Sequence, residues 1–292
     1  MESINFSIIP SGTFTFGLLE DWQAGMPLTE RDIARYISKQ KKAAEAKSAM
    51  KQKQAAEGKT DSKEKEDGDI KSTSALPDCG PARLLSIKRF GLSRDLVTVA
   101  QWKEYCTAVR KELPKTPPWG WRDNHPIVNV TWQEIAGQSD GLNFCQWYSN
   151  KHGVSARLPS EEEWEYVLGG GSRQYELGLP YGLMASATWT SVGTKRIETA
   201  PVSRREFIHE NPLGVRDMIG NVWEWTSSLY VGYPDRTGYP REISGETAGK
   251  SRVLRGGAFN TVNPDYLRKW YRNRALPNDR RETFGFRLAF DL

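Results

Sequence analysis

Two helix-start signatures stand close together in the middle of the chain, and beyond residue 170 no helical period returns. Thr131-x-x-Glu134 and Ser160-x-x-Glu163 each set a hydroxyl at an N-cap and a carboxylate three residues on, the pairing that satisfies two orphan N–H groups at the start of a helix. The first opens a segment ending at Gly153, and the second runs through the inward-facing Trp164, Val167 and Leu168 to a glycine stop. Upstream, RLLSIKRF reads as a strand, followed by a helix near 99–112 with Trp102, Cys106 and Val109 on one face. After 170 the chain is rich in Gly, Pro and Trp and reads as strand and loop. Helices followed by irregular β structure, without βαβ alternation, predict an α+β fold.

The N-terminal INFSIIPSGTFTFG reads as two strands about a Pro-Ser-Gly turn, a hairpin signal. Residues 29–78 begin helix-like and then lose their apolar stripe in Ala, Lys and Gln, as expected for an insertion into a single domain spanning 1–292. The net charge of +5 owes about three units to Lys39–Gly68, where nine Lys face six acids. A basic run of this kind is ordinarily a solvated tether, which weakens any nucleic-acid reading. Three cysteines, Cys79, Cys106 and Cys145, show no paired spacing, so neither a disulfide framework nor a thiolate zinc site is predicted. The start MESINFSIIPSGTF has no basic region followed by an apolar one, and no apolar stretch is membrane-length. The expected location is cytoplasmic. Glu161, Glu162, Glu163 and Glu165 read as acids offsetting a helix dipole rather than as acid/base catalysts. His125, before Pro126, reads as a hydrogen-bonded structural histidine.

GTFTFG, LVTVAQWKEYC, PIVNVTW, RLPSEEEWEY, NPLGVRDMIGNVWEW, VLRGGAF and GFRLAF occur in the order seen in the formylglycine-generating enzyme, or sulfatase-modifying factor, family. The chain resembles that family over 5–25 and 80–292. The resemblance implies a C-type-lectin-like fold with little regular secondary structure, in which the N- and C-terminal strands pair. Family membership does not fix function. The oxidases of the family bind copper through two cysteines, and copper(I) requires soft thiolates. Matched on the RGG and GFR ends, those positions are Thr261 and Tyr266, so no copper is expected. The family's iron-dependent sulfoxide synthases need a histidine cluster, and His125, His152 and His209 have no ligand-like spacing, so no iron is expected. DMIGNVWEW resembles the family's calcium loop, implying a structural Ca²⁺ held by the Asp217 and Glu224 carboxylates and the Gly220 and Val222 carbonyls. Oxygen ligands of this kind suit that ion. The alternative for Glu224 is a buried acid satisfied by backbone N–H groups.

With the thiolates gone, the polar segment between Arg255 and Arg287 resembles the C-terminal segment of the variable proteins of diversity-generating retroelements. In those proteins adenine-directed mutagenesis rewrites codons for residues displayed on a rigid lectin-like surface. Randomising the first two bases of AAC can yield Asn, Thr, Val, Asp, Tyr, Phe, Ala, Leu and Arg but never Lys, Trp, Glu, Gln or Met. Phe259, Asn260, Thr261, Val262, Asp265, Tyr266, Tyr271, Asn273, Ala275, Leu276, Asn278 and Thr283 satisfy that condition. Together with Trp270 and Arg281 they form the expected ligand surface, a mixture of aromatic and adaptable polar side chains suited to a protein or other macromolecular partner. Two readings from other classes stand beside it. One is a metal-dependent oxidase with altered ligands, and the other a scaffold that recruits partners through its basic insertion.

Overall fold

The structure, a computed structural model, describes residues 4–17, 83–138, 141–171, 190–191, 195–202, 211–232 and 250–292. The helix expected at the start of the 29–78 insertion lies outside these residues. Strands β1 (Phe6–Ile9) and β2 (Gly12–Phe16) flank the expected turn, yet they do not form a hairpin. β1 pairs antiparallel with β4 (Phe90–Ser93), and β2 pairs with β3 (Arg83–Ile87). Packing explains the divergence: Phe14 and Phe16 bury themselves beside Tyr166, with the Phe14 and Tyr166 rings 5.2 Å apart, which draws β2 away from β1.

The last strand, β10 (Ala289–Asp291), lies between β4 and β5 (Ser155–Arg157), in the order β1-β4-β10-β5. The N- and C-terminal strands therefore share a sheet but are separated by β4, which corrects the direct pairing implied by the resemblance. β4 is central, and a glycine stands at its crowded point. A Cβ on Gly91 would lie 3.2 Å from both Phe290 and Phe6 side-chain atoms.

Helix α1 (Val99–Val109) buries Trp102 and Cys106 on one face, as the spacing predicts. The segment from Thr131 to Gly153 is two helices rather than one: α2 (Trp132–Ala136) and α3 (Phe144–His152). Gly137 ends the first, and Asn143 caps the second with Gln146 in its own capping box. The Asn143 side chain donates to the Gly137 carbonyl at 2.8 Å and closes the break. Both expected capping boxes form, the second at the start of α4 (Glu161–Leu168). The remaining sheet has the order β8 (Asn273–Ala275), β7 (Arg252–Arg255), β6 (Trp223–Leu229), β9 (Phe284–Gly285), with β9 parallel to β6.

One core gathers Trp102, Phe144, Trp225 and Phe286, with the Trp102 and Phe144 rings stacked at 5.3 Å. A second surrounds Trp164, Tyr166 and Phe90. Cys106 and Cys145 sit in the first core, and burial pushes both thiols up, Cys145 to about 12. They are packing groups rather than nucleophiles. His125 is buried with its Nδ1 2.9 Å from the Thr199 hydroxyl, which fits the structural reading. Among the described residues no helix is long and apolar enough to cross a membrane.

Candidate functional site

The segment between Arg255 and Arg287 is built on three buried arginines. Arg255 pairs with Glu165, both side chains fully buried. Arg272 makes two 2.7 Å bonds to Glu161. Arg287 donates through Nε and Nη2 to Glu224 at 2.6 and 2.9 Å. Glu161 and Glu165 lie one turn apart on the inner face of α4, with Trp164 between them donating its indole N–H to Glu224 at 3.0 Å. These two acids therefore do more than offset a dipole. Their i, i+4 spacing around a buried tryptophan was the available signal, since a helix places such residues on one face. Burial pushes the Glu161 and Glu224 carboxyls up against the pull of Arg272 and Arg287.

The pairs fix the backbone as well. Arg255 also donates to the Lys269 and Tyr271 carbonyls, each at 2.8 Å, and so holds the middle of the segment against its start. Gly256 and Gly257 follow with φ of 95° and 80°, in the left-handed region that costs a side chain energy. A Cβ on Gly256 would meet the Met218 carbonyl oxygen at 2.6 Å. Farther along, the Asn129 N–H donates to the Arg281 carbonyl at 3.0 Å and the Gln133 N–H to that of Pro277 at 3.1 Å.

On this frame the fourteen expected surface residues divide. Asn260, Val262, Tyr266, Leu276, Asn278 and Arg281 are exposed, and Asp265, Tyr271 and Asn273 are partly so. Tyr266 stacks on Tyr271 with ring centres 4.6 Å apart. The other five are buried and cannot display a side chain. Phe259 lies edge-on to Trp119 at 5.3 Å. The Thr261 hydroxyl accepts the Ala258 N–H at 2.9 Å and closes a turn. Trp270 is covered by Arg268. Ala275 belongs to the first core. Thr283 is buried where its carbonyl accepts the Trp223 N–H at 2.7 Å. Codon reachability selects residue types; it says nothing about which way a side chain points.

β8 is an edge strand, a position that normally invites pairing with another chain. Here the Arg274 N–H is taken by the Asn273 side chain at 2.8 Å and the Leu276 N–H by Asp279 at 2.9 Å. The surface thus offers side chains rather than a backbone ladder. The neighbouring Ser191 and residues 195–197 were not foreseen. The Ser191 hydroxyl donates to the Phe259 carbonyl and its N–H to that of Thr261, each at 2.9 Å, which seats Ser191 against the turn that precedes the exposed Val262.

The 217–224 loop does not assemble an open oxygen cage. Both Glu224 oxygens are engaged by Arg287, one of them also by Trp164. The Gly220 carbonyl accepts the Val222 N–H at 2.8 Å, and Asp217 accepts from the Asn221 side chain at 3.3 Å. Val222 packs with Leu96, Val128 and Val202. In this arrangement Arg287 supplies a positive charge at Glu224.

A family model described as the sulfatase-modifying factor enzyme 1-like domain matches residues 6–292. The chain belongs to this family. The formylglycine-generating enzyme of Mus musculus is 30% identical over 187 residues, covering 58% of this chain and 45% of that protein. The chain spans about half the length of that curated relative. Among solved structures, PvdO from Pseudomonas aeruginosa aligns with a TM-score of 0.66 and 23% identity over 98% of this chain and 94% of PvdO. Treponema denticola variable protein 1 aligns at 0.53 and 21%, over 72% of this chain and 87% of its own. The fold is accordingly α+β and C-type-lectin-like, with few helices.

Electrostatics at the rim give a testable pH dependence. Burial raises the Glu134 carboxyl, but hydrogen bonds from Lys111 and Thr131 and the charges of Lys111 and Arg280 together hold it below its ordinary range. A depressed carboxylate contributes stability above the unfolded value of about 4.3, and that stability is lost as pH falls through the folded value. Acidification therefore opens the α2 capping box and frees Arg280, which Glu134 holds at 3.1 Å. Denaturant unfolding at pH 7 and pH 3 is expected to show a smaller acid-induced loss in Glu134→Gln than in the parent, and equal losses would refute this.

Proposed function

We propose that this chain is a non-catalytic binding protein whose ligand surface is formed by the exposed side chains of 260–281, and that it is a variable protein of a diversity-generating retroelement. The observation that carries the reading is the division just described. Asn260, Val262, Tyr266, Leu276, Asn278 and Arg281 project from a backbone whose own bonds close on buried arginines and core residues. Such positions can change without disturbing the fold, and aromatic, aliphatic and amide groups are efficient in protein contacts. In this setting Thr261 spends its hydroxyl in a turn and Tyr266 stacks on Tyr271, and neither supplies a soft ligand for copper.

The genomic test is decisive for the finer statement. A neighbouring reverse-transcriptase gene with a near-copy of the codons for 255–287, differing only at adenines, is expected; its absence sinks the retroelement assignment. The coarser statement is tested at the protein. In Val262→Ala combined with Tyr266→Ala, stability should change by less than about 1 kcal/mol, while affinity for peptides selected on the parent falls by about tenfold or more.

A second reading, an oxidase with altered metal ligands, is favoured by kinship with the mouse enzyme. Oxygen consumption by copper- or iron-loaded protein with a peptide thiol would establish it and overturn the first. The scaffold reading rests on the 29–78 insertion, outside the described residues.

A further inference from the structure

The arginines beside the display segment are not treated alike. Arg255, Arg272 and Arg287 each have a buried carboxylate. Arg252, three residues before Arg255 on β7, has no carboxylate partner among the described residues. Its guanidinium lies 3.7 Å from the centre of the Trp132 ring, and that ring is fixed by its indole N–H donating to the Thr226 carbonyl at 2.9 Å. Nη1 donates to the Ser227 carbonyl at 2.7 Å, while Nε is buried with no hydrogen-bond partner. Burial lowers the pKa of this arginine with no opposing charge to restore it.

A partly buried cation without a counter-charge costs stability. The chain provides acids for the neighbouring buried arginines but holds this one only by the Trp132 ring and the Ser227 carbonyl. What the arrangement does provide is a positive group already oriented on an aromatic shelf, with little side-chain freedom left to lose on binding. Strand register supplies the surroundings. Leu229, Arg252 and Ala275 are direct cross-strand partners on β6, β7 and β8. Leu229 is 42% exposed.

We propose that Arg252 on Trp132, with Leu229 beside it, is a docking point for a carboxylate of a protein partner whose neighbouring apolar side chain packs on that leucine. The carboxylate would meet the Nη edge of the guanidinium in a charge-assisted bond. One cation beside an exposed leucine suits an acidic residue in an apolar segment better than a nucleic-acid backbone, which calls for a track of cations. The inference rests on the binding-protein reading and extends its surface beyond residues 255–287.

The test uses the full chain. A random peptide library is panned on it, and synthetic copies of the selected peptides are measured against the parent, Arg252→Gln, and the Val262→Ala/Tyr266→Ala pair. The expected result is a class of peptides with Asp or Glu beside apolar residues. These should lose about tenfold or more on Arg252→Gln, and as much when their own acid is changed to its amide. Thermal stability of Arg252→Gln should equal or exceed the parent's. Binding to Arg252→Gln within about twofold of the parent, or a melting temperature lowered by several degrees, overturns the proposal; the latter would show that the arginine serves the fold. Peptides that depend on Val262 and Tyr266 but not on Arg252 leave the display reading intact and remove this one. A selection yielding no peptide sensitive to any of the three positions removes both.

Discussion

Arg255→Ala is expected to destabilise the protein by about 3–5 kcal/mol, the usual cost of leaving one member of a buried ion pair alone. The change strands the fully buried Glu165 carboxylate and releases the Lys269 and Tyr271 carbonyls together. Charge and connection can be separated experimentally. In Arg255→Met combined with Glu165→Leu neither position carries a buried charge, and replacing a buried pair with apolar groups is often neutral or better. The double variant should therefore recover much of the loss, short of full recovery by what the two carbonyl bonds and the Gly17 N–H bond to Glu165 contribute. Urea unfolding of the parent, the single and the double measures both. A double variant as unstable as the single would show that the pair's electrostatics are not what holds the segment.

Trp164→Ala carries the second large effect, about 3–5 kcal/mol for truncating a fully buried aromatic. Its ring is 1% exposed and lies under the Arg255 guanidinium, while its indole N–H serves Glu224. Trp164→Phe keeps most of the packing and removes the donor, so its cost should be smaller, about 1–3 kcal/mol for an under-satisfied buried acceptor. That ordering places Trp164 as the link between the Arg255–Glu165 and Arg287–Glu224 pairs. Equal losses in the two variants would mean that the hydrogen bond, not the packing, dominates.

How much of this could be read from residues alone depends on the range over which each signal acts. The capping boxes at Thr131 and Ser160 are closed within four residues, and both form where expected. The break at Gly137 was missed because Asn143 with Gln146 is a weaker signature than Thr with Glu, although it builds the same device. The hairpin was misread because turn chemistry fixes only the reversal; which strands pair is decided by where Phe14 and Phe16 are buried. At the site the polar character of 259–283 was legible, but its two sides were not. A loop without a regular period offers no rule for orientation, so Phe259 and Thr261 could not be told from Asn260 and Val262. Partners distant in sequence, such as Glu161 with Arg272, 111 residues apart, leave no local trace either.

The central claim is that a fixed frame carries a replaceable surface, and saturation mutagenesis across 258–283 tests it most directly, read once by protease resistance and once by binding of the peptides selected on the parent. Nearly every substitution at Asn260, Val262, Tyr266 and Asn278 should leave the chain folded, within about 0.5 kcal/mol of the parent, while altering binding. Substitutions at Phe259, Thr261 and Trp270 should be lost from the folded pool. If the exposed positions prove as intolerant as the buried ones, or if folded variants there bind as the parent does, the segment is not a display surface.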